Sequence, residues 1–430
     1  MRGDGRLYSK TFSRMLLVLL IASIPTSTFI IRPVKAEGTI YIRADGSVDP
    51  PDAPIHHDGD IYTLTGNITG DTDGIVVERD NIVVDGAGYT VQGTGAYESR
   101  GIDLSYRNNI TIKSTQIKTF YYGILLDSSS SNSISENNMI NNDKDGIYVN
   151  SSSYNNISGN NITNNERGMD LNWDSNHNSI VGNNITNNGS GRYGVGIDLD
   201  NSSDNTISGN NITNNNNADI SLSSSSNNII ARNNIADSEY GISLFQSSSH
   251  NSISGNEIIE NTKDGIELYL SSYNIISGNN ITENNEYGIH VYSSSDNIIF
   301  GNNIANNYYG ILLSWSSGQV AENNKVYHNS FIDNTKHAGP SMFANTWDDG
   351  YPSGGNYWDD YNGTDSNHDG IGDTPYVLFA GAGDTDRYPL MTAYIIPEFP
   401  SFLILPLFMA TTIFTTIFLE KRKRLDSVHH

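Results

Sequence analysis

The sequence contains no cysteine and, between residues 55 and 339, no proline. The first absence excludes disulfides and thiolate metal sites. The second leaves a long stretch in which every backbone N–H is free to join a hydrogen-bonded ladder. Charge is scarce as well. Only 17% of residues are charged, and basic residues number 24 against 48 acidic ones, for a formal net charge of −24. A chain so poor in Lys and Arg is not built to neutralise phosphates, which argues against a nucleic-acid partner. No stretch of the body shows the apolar spacing of an amphipathic helix. Polarity comes instead from Asn, Ser and Thr.

Basic residues gather at the two ends. Arg2, Arg6, Lys10 and Arg14 flank or precede the apolar run MLLVLLIASI (15–24), and VKA (34–36) stands before Glu37. This predicts a signal peptide over 1–36. At the other end a linker (395–401) leads into an uncharged segment, 402–419, long enough to span a bilayer. The KRKR cluster in the tail (420–430) belongs on the cytoplasmic side. The body is then expected at the cell surface or outside the cell, held to the membrane by its C-terminal segment. Pro397, Glu398 and Phe399, followed by the apolar span and KRKR, resemble the PEF-CTERM tail of archaeal surface proteins. That resemblance implies a sorting signal removed by an archaeosortase; a plain membrane anchor is the alternative.

Between the ends lies a repeat. The motif Asn-x-Ile-x-Gly-Asn recurs with its final Asn at 137, 160, 183, 210, 233, 256, 279, 302 and 323, mostly 23 residues apart. Five residues earlier stands a second Asn, at 132, 155, 178, 205, 228, 251, 274 and 297. In phase with both runs Gly-Ile-x-Leu or a variant, as in GIDL (196), GISL (241) and GIEL (265), with early copies GIVV (74) and GIDL (101). Disordered polar tracts keep no such register. Alternating aliphatics separated by Asn, Gly, Ser and Asp describe short strands and turns. Units of this size made of short strands describe the coils of a parallel β-helix. Ile207 and Ile212 are expected to point inward. Asn205 and Asn210 are expected at sharp turns, tolerating left-handed backbone and hydrogen-bonding amide to amide along the rod. An insertion around NGSGRYG (188–194) should bulge over one rung.

The repeat over 74–335, with GGNYWDDYNGTDSNHDGIGDTPY (354–376), resembles the NosD-like family of right-handed parallel β-helix proteins. That family is linked to carbohydrate-binding proteins and sugar hydrolases, and its founding members to periplasmic copper binding. Copper(I) favours soft sulfur ligands, and this chain has no Cys and only seven Met; copper is therefore not expected. The combined expectation is an all-β, right-handed, single-stranded parallel β-helix of about 11 coils, with a C-terminal transmembrane segment. Residues 37–73 should cap one end, and the Gly-, Asp- and aromatic-rich stretch 336–394 the other.

Several constellations could carry chemistry. DSNHDGIGD (365–373) places Asp365, Asn367, Asp369, the Ile371 carbonyl and Asp373 at positions 1, 3, 5, 7 and 9 of a calcium loop, with Gly370 at the sharp turn. Position 12 is Tyr376, so a bidentate ligand would have to come from Asp359, Asp360 or Asp384. In Ile-x-Leu-x the x residues are expected to face solvent. That puts Asp170, Asn172, Asp198 and Asp200 on two adjacent coils, a carboxylate group of the kind glycoside hydrolysis uses. No basic residue lines these strands, although Arg192 lies near in the inserted loop. Phe245, Tyr269 and Tyr292 recur at one outward position on three successive coils, beside Glu267 and His290; they are candidates for a flat platform under sugar rings or for a ladder that only stabilises the rod. His56, His57 and Asp58 adjoin in a loop. Asn67, Asn109, Asn161, Asn184, Asn211, Asn280 and Asn362 each begin an Asn-x-Ser/Thr glycan-acceptor motif. The leading expectation is a non-enzymatic binding or structural protein of the cell envelope that contacts calcium and either envelope polysaccharide or surface-layer glycans. A polysaccharide lyase or glycoside hydrolase using Asp170, Asp198 and Asp200 is the alternative, and copper handling by family analogy a third.

Overall fold

The computed structural model describes residues 36–189, 194–315, 318, 320–341, 343–379 and 384–393. The expected leader, the C-terminal apolar span and tail, and Arg192 lie outside the described residues. Among the described residues, no helix is long and apolar enough to cross a membrane.

The chain winds as a right-handed parallel β-solenoid with three sheets running along the rod. One rung shows the order. Val195–Asp200 belongs to sheet II, Thr206–Ser208 to sheet III and Asn211–Thr213 to sheet I; the chain then re-enters sheet II at Ala218–Ser223. Neighbouring rungs pair in parallel and in register, so Ile207 lies between Ile180 and Ile230, and Ile212 between Ile185 and Ile235. Both Ile207 and Ile212 are fully buried, as the alternation implies. Each such side chain contributes roughly 1.5–3 kcal/mol on burial. Strands of sheets I and III are mostly three residues long, whereas those of sheet II reach six. Sheet II is therefore the broad face of the rod.

The corners rest on amides. Nδ2 of Asn210 donates to Oδ1 of Asn233 on the next rung (3.0 Å) and to the Ile180 carbonyl (3.0 Å), while Oδ1 accepts from the Asn183 backbone N–H (2.9 Å). Donor and acceptors are all used within the protein, which is what a buried amide requires. The left-handed conformation, however, belongs to the residue before each ladder Asn. Asp204, Gly209 and Asn214 have φ of 59°, 64° and 57°, and precede Asn205, Asn210 and Asn215. This corrects the expectation that the ladder Asn itself takes that backbone, and explains the Gly in the motif. Asn142, Asn165, Asn188 and Asn215 form a third ladder that the alignment did not single out.

Two further expectations are corrected. The last unit aligns through Asn324 and Asn329, which receive Asn297 and Asn302, and not through Asn323. The rod also has about 13 turns, not 11, on the order of 60 Å in length. Ile40–Ile42, Ile61–Leu64 and Ile68–Thr69, within the expected cap, already make a full rung under Ile75–Val77. Antiparallel additions, Val48–Asp49 and Ile55–Asp58, cover that end. At the other end Trp358 stacks between Phe331 (4.4 Å) and Tyr376 (4.6 Å), and the Trp347 and Trp358 indoles donate to Asp384 and Asp386.

Candidate functional site

The broad face of sheet II gathers most of the chemistry. A column of glycines borders it. At Gly146, Gly168 and Gly265 a Cβ would collide with the carbonyl oxygen of the next rung. The close approach forces Gly and brings the residues just before it, Asp145, Arg167 and Asp264, tightly against neighbouring rungs.

Arg167 sits at the centre of a cluster. Its Nε donates to Asp145 Oδ1 (2.8 Å) and its Nη2 to Asp145 Oδ2 (3.2 Å); Nη2 also contacts Asp170 Oδ2, and Nη1 lies 3.4 Å from Asp198 Oδ2. Asp145 and Asp170 are fully buried, while the Asp198 side chain keeps 21% exposure. Burial pushes the Asp145 carboxyl up to about 6 against the pull of Arg167. Burial, reinforced by the charge of Asp145, holds Asp170 well above the usual range, and burial raises Asp198 too. Two expectations are thereby corrected. Asp170 does not face solvent, because Arg167 from the same strand folds over it, and these strands do carry a basic residue. Asp200 accepts from Asn201 Nδ2 (2.9 Å) rather than from Arg167.

Next to the cluster a cleft of about 350 Å³ is lined by Lys144, Arg167, Asp198, Ser221, Ser243 and Phe245. Phe245 is the first of the three aromatics singled out in the sequence. Tyr269 and Tyr292 stack on each other, centroids 5.1 Å apart and planes 17° apart. Their ring faces cover one another along the rod axis, so edges and hydroxyls, rather than a flat plate, are offered outward. Asp264, Glu267 and His290 converge beside them, each with one ligand-type atom within 4.8 Å of the others. Asp264 was missed in the sequence, where the Asp-Gly pair before GIEL reads only as a turn.

A second grouping lies where the last rung meets the C-terminal cap. His337 Nε2 bonds Asp359 Oδ1 (2.7 Å) and lies 3.4 Å from Asp360, in a cleft of about 790 Å³ that Tyr309 and Lys336 also line. Asp359 and Asp360 are thus engaged by His337, and Asp384 by Trp347. In that turn Asp365 accepts from the Asp369 and Gly370 N–H groups (3.2 and 2.9 Å), Asn367 donates to Asp369 (2.9 Å), and Asp369 accepts from the Ile371 N–H (3.0 Å). Asp373 points to Ser366 and Thr364. Hydrogen bonds hold the Asp369 and Asp373 carboxyls below the usual range.

The glycan-acceptor asparagines are exposed or half-buried. Asn161, Asn184 and Asn211 stand on successive rungs; Asn184 Nδ2 donates to Asn161 Oδ1 and Asn211 Nδ2 to Asn184 Oδ1, both at 2.7 Å. His56 and His57 lie on the exposed hairpin, where His57 stacks on Tyr62.

A family model described as "Periplasmic copper-binding protein (NosD)" matches residues 59–196 and 196–363. No match was found among curated proteins. Among solved structures, a double mutant of the periplasmic alginate epimerase AlgG aligns with a TM-score of 0.47 and 14% identity over 71% of this chain and 82% of that one. DFA-IIIase from Arthrobacter chlorophenolicus A6 gives 0.44 and 11% identity over 62% and 81%. The Dettilon tailspike protein gives 0.42 and 16% over 75% and 59%.

Proposed function

This chain belongs to the NosD family, and from that premise we propose that it works outside the cytoplasm and binds an envelope polysaccharide along the face of sheet II. The cleft at Phe245 carries the reading. It sets one aromatic wall beside charged and hydroxyl groups, Arg167, Asp198, Ser221 and Ser243, the mixture that a sugar with apolar ring faces and many hydroxyls needs. The hydroxyl edges of Tyr269 and Tyr292 extend the same surface. Binding is favoured over hydrolysis because a glycosidase needs two reachable carboxylates. Asp170 is sealed under Arg167, which leaves Asp198 alone in the cleft.

Copper fits this chain less well than the family description implies. The chain has no Cys, Met139 and Met169 are sealed in the core, and Met391 is the one other Met among the described residues. No soft-sulfur set for copper(I) is assembled there. Calcium at the 365–373 turn is part of the proposal, as a clamp on the C-terminal cap. A calcium-dependent rise in melting temperature that is absent in Asp365→Asn supports that clamp, and an equal rise in both proteins refutes it.

The test is an array of soluble polysaccharides probed with the exported chain. Acidic and neutral glycans are compared, with product analysis for cleavage. The proposal predicts binding without cleavage, weakened about tenfold by Phe245→Ala, a loss of about 1.4 kcal/mol. Cleavage, or binding unchanged by Phe245→Ala, overturns it.

A further inference from the structure

We propose that Asp264, Glu267 and His290 form a binding site for a divalent transition-metal ion, of which Zn2+ is the probe of choice. This goes beyond the polysaccharide reading and does not depend on it.

The geometry comes first. The three side chains bring one ligand atom each to within 4.8 Å of the others, close enough to share one ion with small adjustments. His290 Nδ1 lies 3.4 Å from Asp264 Oδ2. Each of the other two ligand groups is held from behind. His290 Nε2 is bonded to Ser314 Oγ (2.8 Å), which fixes the ring with Nδ1 toward the cluster. Glu267 Oε2 accepts from Ser243 Oγ (2.9 Å), leaving its other oxygen available. Such outer contacts orient metal ligands and tune their basicity. Tyr287 and Tyr292 wall the imidazole, with centroids 4.5 and 5.8 Å away.

The second observation is independent of the first. Asp264 is 97% buried, yet its Oδ1 has no hydrogen-bond partner. Buried charges are paired or coordinate metals. Elsewhere on this face the protein meets that need with a fixed cation. Asp145 holds the position corresponding to Asp264, and the next rung supplies Arg167 directly beside it. Beyond Asp264 the equivalent position is Tyr287. Lys263, adjacent in sequence, is turned away to Glu239 and to the Tyr240 hydroxyl. Two carboxylates and one imidazole therefore converge without the arginine. One nitrogen and two oxygen donors suit a borderline divalent ion better than a soft monovalent one. The His290 side chain keeps 17% exposure, so an ion can enter from solvent.

The experiment counts tight Zn2+ equivalents on the metal-stripped chain by competition with a chromophoric chelator, with no glycan present, so this inference and the polysaccharide proposal fail separately. His290→Ala and Asp264→Asn are each expected to lose one equivalent. Glu267→Gln is expected to weaken that equivalent about tenfold or more. His337→Ala, which alters the other His–carboxylate group, is expected to keep it. Metal-free melting of Asp264→Asn is the folding control. Removing a buried charge whose Oδ1 has no partner should leave its melting temperature equal or higher, while the Zn2+-induced rise disappears. Equal equivalents in wild type and His290→Ala overturn the proposal, as does an unchanged Zn2+-induced rise in Asp264→Asn.

Discussion

Sheet II carries two acidic clusters on one backbone template. Around Asp145, Asp170 and Asp198 the charges are settled internally by Arg167. Around Asp264 and Glu267 the corresponding position is Tyr287, and the imidazole of His290 takes the place beside the carboxylates. The backbone is the same in both, since the solenoid repeats its strand register and its glycine column. Arginine at 167 against tyrosine at 287, with Tyr148, Asp170 and Asp198 standing where the second cluster has Glu267, His290 and Leu312, separates an acid cluster fastened by its arginine from the one proposed to hold an ion.

The largest expected effect is in the first cluster. Arg167→Ala leaves three carboxylates without their common partner, two of them fully buried, and should cost about 3–5 kcal/mol in urea unfolding. A loss under about 1 kcal/mol would mean that the cluster is not fastened by its arginine. The amide ladder supplies a neutral standard. Asn210→Ala removes a fully satisfied buried amide and should cost about 1–3 kcal/mol, less than Arg167→Ala.

The pH dependence follows from Asp145. Its folded value, about 6, exceeds the ordinary 3.8, so between these values the folded chain holds a proton that the unfolded chain has released. The associated stability is present below about pH 4 and is lost as pH rises through about 6, on the order of 3 kcal/mol. Asp145→Asn should flatten this part of the urea-stability profile; an unchanged slope would assign it elsewhere. Tyr287→Arg then imports the first cluster's solution into the second. The variant should fold with stability within about 1 kcal/mol of wild type and bind Zn2+ at least about tenfold more weakly, because like charge opposes the ion. Smallest is the outer ladder. Asn211→Gln should change stability by no more than about 0.5 kcal/mol and alter only glycan mass, if a glycan is present. Adjacent acceptors lie about one rung, some 4.8 Å, apart, so mass spectrometry should find no molecule glycosylated at Asn161, Asn184 and Asn211 together.

Much of this rod was legible in the sequence because a solenoid writes its period directly. The 23-residue step and the phase of Ile207 and Ile212 predict which side chains face inward, and burial agrees. Other features were not legible, each for a physical reason. Which residue of a corner turns left-handed depends on backbone geometry; Gly209 signals it, but Asp204 and Asn214 do not stand out in a chain so rich in both. The third ladder hides in Asn-Asn pairs such as Asn141–Asn142, where either residue could face inward. Alternation alone places Asp170 outward. An arginine three residues earlier can still fold over an outward carboxylate and bury it, and alternation carries no information about that. The metal-type cluster joins Asp264 and Glu267 to His290 across two rungs, and its key member sits at a turn, outside the alternating pattern. The 365–373 turn was legible as a local motif, whereas the engagement of Asp359 and Asp360 by His337 needed the cap's tertiary fold.

The contrast between the two clusters is tested most directly by a crystal of the metal-stripped chain soaked in Zn2+, with anomalous scattering collected above and below the zinc absorption edge. The account predicts an anomalous peak among Asp264, Glu267 and His290 and none among Asp145, Asp170 and Asp198. No peak at His290, or a peak in the Arg167 cluster, would contradict it.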